Sequence, residues 1–290
     1  MYSHRSEVDM ICEITMKTLQ TIGIVVGIFS AVALVLTILI LVVSKVCKID
    51  TDEKLEKVIE KLAGANCGGC GCSGCAGFAE KLCKGQCSLS DCHVTSAENK
   101  REIAGILGIE AEDEEPTVAC VMCNGGKNAV DLYKYSGINT CVYEAQLFKG
   151  AKLCDDGCLG FGTCLAACPE NAISIHDNVS YVNPDVCISC GKCILACPKH
   201  LIERIPVTAA VYVACSSHCK GKEVINMCKS GCISCGMCVK NCPENAITMV
   251  DNVPRIDYTK CTGCLTCVSK CPRKVIKVRT ERRAKTENDK

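Results

Sequence analysis

The sequence predicts an α+β chain held behind a single N-terminal transmembrane helix, with a small cysteine-rich domain first and two tandem copies of one cysteine module after it. Three observations carry this: an uncharged apolar run from Ile22 to Val43, 31 cysteines among 290 residues, and a gap-free internal repeat at a shift of 74 residues.

The apolar run, "IGIVVGIFSAVALVLTILILVV", rises roughly 33 Å as a helix at about 1.5 Å per residue, enough to cross a lipid bilayer. It is too long for the core of a signal peptide, and no small-x-small cleavage pair precedes a mature domain. Lys45, Lys48, Lys54 and Lys57 follow it, whereas Arg5 and Lys17 before it are accompanied by Glu7, Asp9 and Glu13. The positive-inside rule then predicts a single pass of the inner (plasma) membrane, with the N-terminus outside and the large C-terminal part in the cytoplasm. Residues 1–48 form this anchor segment.

Cysteine at this density means a disulfide scaffold in a secreted chain or thiolate ligation of metal in a reducing compartment. The predicted cytoplasmic side selects metal. The 48% hydrophobic content is inflated by the cysteines and the apolar run, and there is no tryptophan. Folding around metal more than around a large apolar core is expected. A net charge of +1 gives no general attraction to nucleic acid, which is not expected as a partner.

The four-cysteine domain spans residues 50–95. It opens with "DTDEKLEKVIEKLAG", where Leu55, Val58, Ile59 and Leu62 keep helical spacing, acidic residues occupy the first turn and Gly64 marks the stop. Residues 96–116 read as a second helix, "SAENKREIAGILGI", and the acidic linker "EAEDEEP". The two modules occupy 117–205 and 206–278, and 279–290 form a charged tail with the composition of disorder. In the stretch "VACVMCNGGKNAVDLYKYSGINTC" a strand, a Gly-Gly turn, a helix and a return are expected; the second module opens on a similar β-rich run.

The repeat superposes Cys141, Cys154, Cys158, Cys164, Cys168, Cys187, Cys190, Cys193 and Cys197 on Cys215, Cys228, Cys232, Cys238, Cys242, Cys261, Cys264, Cys267 and Cys271. In the second copy, "CISCGMCVKNCP" and "CTGCLTCVSKCP" both follow C-x2-C-x2-C-x3-C-P. Three close thiolates wrap one 4Fe–4S cubane while the fourth, set apart by three residues and a proline, reaches the neighbouring one. Cys232, Cys235, Cys238 and Cys271 are therefore expected to hold one cluster, and Cys261, Cys264, Cys267 and Cys242 another. Zinc sites separate their ligand pairs by longer spacers and do not need this crossover.

These motifs resemble bacterial-type two-cluster ferredoxins over about residues 154–200 and 228–278, which implies a small pseudo-symmetric α+β fold with strands flanking two cubanes. In the first copy "CISCGKCILACP" is complete, so Cys187, Cys190, Cys193 and Cys168 define a cluster. Its partner has Cys158 and Cys164 in "CDDGCLGFGTCLAACP" and Cys197 from the other motif, but Phe161 where the second copy has Cys235. Cys154, four residues upstream of Cys158, is the expected replacement. The alternatives are a three-thiolate cluster, either 3Fe–4S or a cubane with an open iron, and an empty site.

Ahead of the repeat, "GANCGGCGCSGC" and "SDC" place Cys67, Cys70, Cys75 and Cys92 in C-x2-C-x4-C-x16-C, with glycines that let the loop fold tightly around a cluster. Gly69, Gly71 and Gly74 fall in G-x-G-x-x-G register, but a helix precedes them and cysteines fill the intervals, so no dinucleotide site is expected. Five 4Fe–4S clusters account for twenty cysteines. Of the rest, most read as buried thiols; a sixth cluster on Cys120, Cys123 and Cys141 lacks a recognised ligand spacing.

An anchor, then a C-x2-C-x4-C-x16-C domain, then ferredoxin modules is similar to the B-subunit family of Rnf complexes, the membrane-bound ion-translocating ferredoxin:NAD oxidoreductases. "LAGANCGGCGCSGC" and "GCLGFGTCLAACPENAI" carry the resemblance, and the second module resembles longer versions in anaerobes. Cys72, Cys83 and the His93-Val94-Thr95 run after Cys92 depart from it. The resemblance implies an electron relay from reduced ferredoxin to other membrane and peripheral subunits of a redox-driven ion translocase. It implies no catalytic residue in this chain itself. A polyferredoxin serving another membrane partner, such as a hydrogenase or dehydrogenase, is the competing reading.

Overall fold

The structure is a computed structural model that describes residues 27, 30–41, 53–110 and 115–279. Two compact units divide the chain, Met1–Asp52 and Glu53–Lys290. In the first, residues 30–41 are helical and their apolar side chains, Leu34 and Ile40 among them, are exposed. Among the described residues no helix is long and apolar enough to cross a membrane. The predicted span 22–43 lies partly outside those residues, as do positions 111–114 of the acidic linker and 280–290 of the tail.

The second unit begins with three helices, α1 (Glu53–Lys61), α2 (Cys75–Cys83) and α3 (Ala97–Leu107). Their apolar stripes meet in a core of Val58, Phe78, Leu82 and Ile103, all buried. Ser96 caps α3 by accepting the Asn99 amide, and Gly108 ends it in the left-handed region at φ 70. Asn99 Nδ2 donates to Lys61 O at 2.9 Å, tying α3 to the end of α1. The helix predicted within 96–116 is thus part of the first domain's core, and the connector begins only after it.

In the first module, β1 (Thr117–Val121) is followed by α4 (Cys141–Gln146), α5 (Thr163–Ala166), the hairpin β2 (Ile173–His176) and β3 (Val179–Val182), α6 (Lys192–Ala196) and β4 (Ile202–Pro206). β1 and β4 pair antiparallel, with Thr117 opposite Pro206 and Val121 opposite Ile202. The second module repeats the scheme with β5 (Val211–Val213), α7 (Lys222–Met227), α8 (Met237–Lys240), β6 (Ile247–Val250), β7 (Val253–Ile256), α9 (Thr266–Lys270) and β8 (Ile276–Val278). There β5 pairs with β8. Both hairpins turn through an Asp-Asn pair with positive φ, at 50 and 60 for Asp177 and Asn178 and at 47 and 68 for Asp251 and Asn252. Two consecutive left-handed residues match the twist of the flanking strands.

Each module core is built from cysteines and short aliphatic side chains: Cys158, Cys164, Cys193, Val121 and Ile173 in the first, Cys238, Cys267, Val211 and Ile247 in the second. Val118, Met122 and Ile205 pack on Tyr212 and Ala214, joining the modules. The expected helix after the Gly-Gly turn does not form. Beyond a short 3-10 turn at Gly126–Asn128, the backbone is taken up by pairing on both sides, Ala129 with Cys228 and Asp131 with Lys152.

Candidate metal centres

One loop geometry recurs at all four module motifs. The residues flanking the motif's second position are left-handed each time: Ser189 and Gly191 (φ 58 and 79), Ser234 and Gly236 (56 and 68), Gly263 and Leu265 (71 and 62). "CLGFGTC" keeps the same path, with Gly160 and Gly162 at φ 83 and 75 around Phe161. A left-handed conformation costs a non-glycine residue about 1–2 kcal/mol, so Ser189, Ser234 and Leu265 adopt it because the loop requires it.

A second left-handed residue follows each Cys-Pro pair: Asn171, His200, Asn245 and Lys274, with φ of 51, 51, 52 and 51. Each turn delivers an amide onto the cysteine sulfur four residues back. Ala172 N lies 3.3 Å from Cys168 Sγ, Leu201 N 3.5 Å from Cys197, Ala246 N 3.3 Å from Cys242 and Val275 N 3.3 Å from Cys271. Amide donors stabilise thiolate sulfur and tune the potential of a bound cluster.

Cys67, Cys70, Cys75 and Cys92 line one pocket in the first domain. Asn66 Oδ1 accepts the Cys75 amide at 2.9 Å, and Cys92 Sγ shares a hydrogen bond with Thr95 Oγ1 at 3.2 Å. Thr95, in the departure after Cys92, thus supports the site. The glycines here serve close packing. A Cβ on Gly74, at φ 140, would lie 2.9 Å from Asn66 Oδ1, and one on Gly69 would lie 1.9 Å from the backbone oxygen of Cys190. The first domain therefore touches the first module at a predicted cluster loop, and Cys190 lines the same pocket.

Cys242, Cys261, Cys264 and Cys267 line a pocket of the second module. Burial pushes the Cys193 thiol up to about 12, and the neighbouring Cys187, Cys190 and Cys168 thiols add to the effect. Cys232 is pushed up to about 11 by burial, with Cys238 and Cys271 nearby. Cys235 in turn acts on Cys238. Among the described residues no three His, Cys, Asp or Glu side chains converge tightly enough to hold a metal ion. Sets made of cysteine alone, with backbone amides donating to their sulfurs, have the donor chemistry of iron–sulfur clusters, which are held by Cys thiolates.

At the incomplete motif the structure brings in a residue that the motif spacing leaves unassigned. Cys158, Cys164 and Cys197 share their pocket with Cys141, and Cys154 does not line it. Thr163 Oγ1 accepts the Cys141 amide at 2.9 Å, fixing the first turn of α4 against the first turn of α5. Ser180 Oγ lies 3.1 Å from Cys164 Sγ. Phe161 turns away to meet Tyr135 edge-on, with ring centroids 5.6 Å apart. Cys154 is buried elsewhere, beside Cys215 and Ser217, and burial pushes its thiol up to about 11. The repeat aligned Cys141 with Cys215, but no local spacing joins Cys141 to Cys158 across α4 and its following turn.

Tandem two-motif modules with this loop geometry define a multi-cluster iron–sulfur protein of the ferredoxin type. A family model described as a 4Fe-4S dicluster domain matches residues 153–201 and 231–275, and one described as a putative Fe-S cluster matches residues 62–94. The chain is 38% identical over 203 residues to the B subunit of the ion-translocating oxidoreductase complex of Methanosarcina acetivorans, covering 69% of this chain and 77% of the relative. It is 39% identical over 185 residues to the B subunit of the Na(+)-translocating ferredoxin:NAD(+) oxidoreductase complex of Acetobacterium woodii, covering 63% and 56%. Against the B subunit of the proton-translocating ferredoxin:NAD(+) oxidoreductase complex of Clostridium ljungdahlii it is 45% identical over 162 residues, covering 55% and 57%. Little more than half the length of these last two relatives is matched. The chain belongs to the family of B subunits of ion-translocating oxidoreductase complexes.

Proposed function

We propose that this chain is the electron relay of a ferredoxin:NAD oxidoreductase complex that moves ions, taking electrons from reduced ferredoxin and passing them toward the membrane subunits. The observation that supports this reading is the close approach of Gly69 to the Cys190 backbone, where a Cβ would not fit, so that the four-cysteine domain lies beside a proposed cluster loop of the first module. A 4Fe–4S cluster supplies reversible one-electron transfer where it is bound. The chain's own residues position, insulate and tune.

The proposed ligand sets are Cys67, Cys70, Cys75 and Cys92; Cys168, Cys187, Cys190 and Cys193; Cys141, Cys158, Cys164 and Cys197; Cys232, Cys235, Cys238 and Cys271; and Cys242, Cys261, Cys264 and Cys267. Cys141 takes the place first expected of Cys154. Cys235 and Cys264 are exposed, which leaves an accessible edge on each cluster site of the second module for a soluble donor. Residues 22–43 anchor the chain in the plasma membrane by their length and lack of charge, with the cluster domains on the cytoplasmic side.

The test is rapid mixing of the anaerobically purified full-length chain with reduced low-potential ferredoxin, followed by visible absorbance. Fast bleaching is expected; no reduction by ferredoxin would overturn the proposal. Co-purification with flavin-bearing membrane subunits separates this assignment from a polyferredoxin serving a hydrogenase or another dehydrogenase.

A further inference from the structure

Four buried cysteines, none of them in the five sets above, come together where the two modules meet. Cys123, Cys154, Cys215 and Cys228 are 6%, 8%, 8% and 7% exposed, and none is in a disulfide. They come from four separate segments, two in each module. The extended stretch after Gly126–Asn128 places two of them: Ala129 bridges to Cys228 on one side, and on the other Leu153 N donates to Val130 O at 2.8 Å, next to Cys154. A Cβ on Gly125 would stand 3.5 Å from Cys228 Sγ and 3.6 Å from Cys123 Sγ, so the two sulfurs flank a glycine whose missing side chain leaves the space between them open. Cys215 lies close enough to Cys123, Cys154 and Cys228 for their thiols to act on one another.

Buried cysteine ordinarily packs as a small hydrophobe, but these sulfurs are furnished as cluster ligands are. Cys123 Sγ accepts the Gly125 amide at 3.4 Å and the Cys158 amide at 3.5 Å. Cys215 Sγ accepts the Cys232 amide at 3.4 Å, and the Asp156 backbone and Ser217 side chain hydrogen-bond to Cys154. Positive charge sits close by. Lys199 lies near enough to act on the Cys154 thiol, and Arg273 Nη2 donates to Cys228 O at 2.8 Å, while Lys152 is taken up by Gly126 O and Asp131. A cluster held by four thiolates is net negative, and buried negative charge needs such partners.

We propose that Cys123, Cys154, Cys215 and Cys228 hold a sixth 4Fe–4S cluster at the junction of the two ferredoxin modules. The inference rests on the reading of the chain as a cluster protein. It gives the repeat-equivalent Cys154 and Cys228 a common role, although the Cys232 motif is already full. It also gives the site a place in the relay, because its sulfurs are hydrogen-bonded by the amides of Cys158 and Cys232, a proposed cluster ligand from each module.

Iron, acid-labile sulfide and zinc per chain, with Mössbauer spectra, on the full-length protein purified anaerobically in detergent test it. Six clusters give about 24 iron and five give about 20, at four irons each, a comparison that requires no variant to fold. Cys228→Ala and Cys123→Ala are expected to lose four irons, or to gain an oxidised three-iron EPR signal, while the other clusters' spectra persist. A wild-type count near 20 that neither variant changes would overturn the sixth site and leave the five-cluster reading standing, as would one zinc per chain lost in both variants. A wild-type count far below 20 would overturn both.

Discussion

Replacing Gly69 with alanine tests the junction between the first domain and the first module. The added Cβ would lie 1.9 Å from the Cys190 oxygen and 3.0 Å from its carbonyl carbon, where ordinary contact begins at 3.4 Å. The obstacle is backbone, so no side chain can swing clear, and the two loops must separate or strain. Overpacking of this kind costs about 1–3 kcal/mol, which for a unit of this size lowers the thermal midpoint by roughly 2–4 °C per kcal/mol. If the loops separate instead, the midpoint is spared and electron transfer slows, because transfer falls steeply with distance. Gly105→Ala is the control: that glycine lies within α3 with nothing within 4 Å of a Cβ, and alanine there is expected to stabilise by about 0.5–1 kcal/mol. The assay pairs thermal melting by circular dichroism with rapid-freeze EPR of the first-domain cluster after ferredoxin is added, at unchanged iron content. Melting and transfer both equal to wild type would refute the contact.

Cys141→Ala is expected to convert one cluster to a three-iron form or remove it, and adding Phe161→Cys is expected to restore it, because Gly160 and Gly162 already give that loop the path of the complete motifs; iron analysis and EPR of the single and double variants check this. Phe78→Ala, at a side chain 1% exposed, is expected to cost about 3–5 kcal/mol, read as a lower melting midpoint of the first domain. Ser96→Ala removes the cap of α3 and is expected to cost about 1 kcal/mol, read from denaturant titration. Stripping iron with a chelator under reducing conditions is expected to unfold both modules, whose cores interleave cysteines with short aliphatic side chains, with loss of the strand signal in circular dichroism.

What the sequence made legible follows the range of the interactions involved. The helices α1 and α3 were readable because apolar spacing and end signals such as Gly64 act within a few residues. The cysteine loops were readable because each three-cysteine turn is local; the two hairpins were not singled out, although the Asp-Asn pair that turns them recurs in both copies. The helix expected after the Gly-Gly turn was lost to pairing with Cys228 and Lys152, partners 99 and 21 residues away that no local propensity encodes. For the same reason proximity in sequence favoured Cys154 as the thiol replacing Phe161. The chain instead turns Cys154 toward Cys215 and brings Cys141 across through Thr163.

The measurement that tests the relay most directly is the number of electrons the full-length chain accepts in an anaerobic coulometric titration, with EPR taken at each step. Successive one-electron uptake by every cluster is expected, at least five electrons per chain and six with the junction site filled. Uptake of one electron or none, or a single centre reduced while the others stay silent, would contradict the relay.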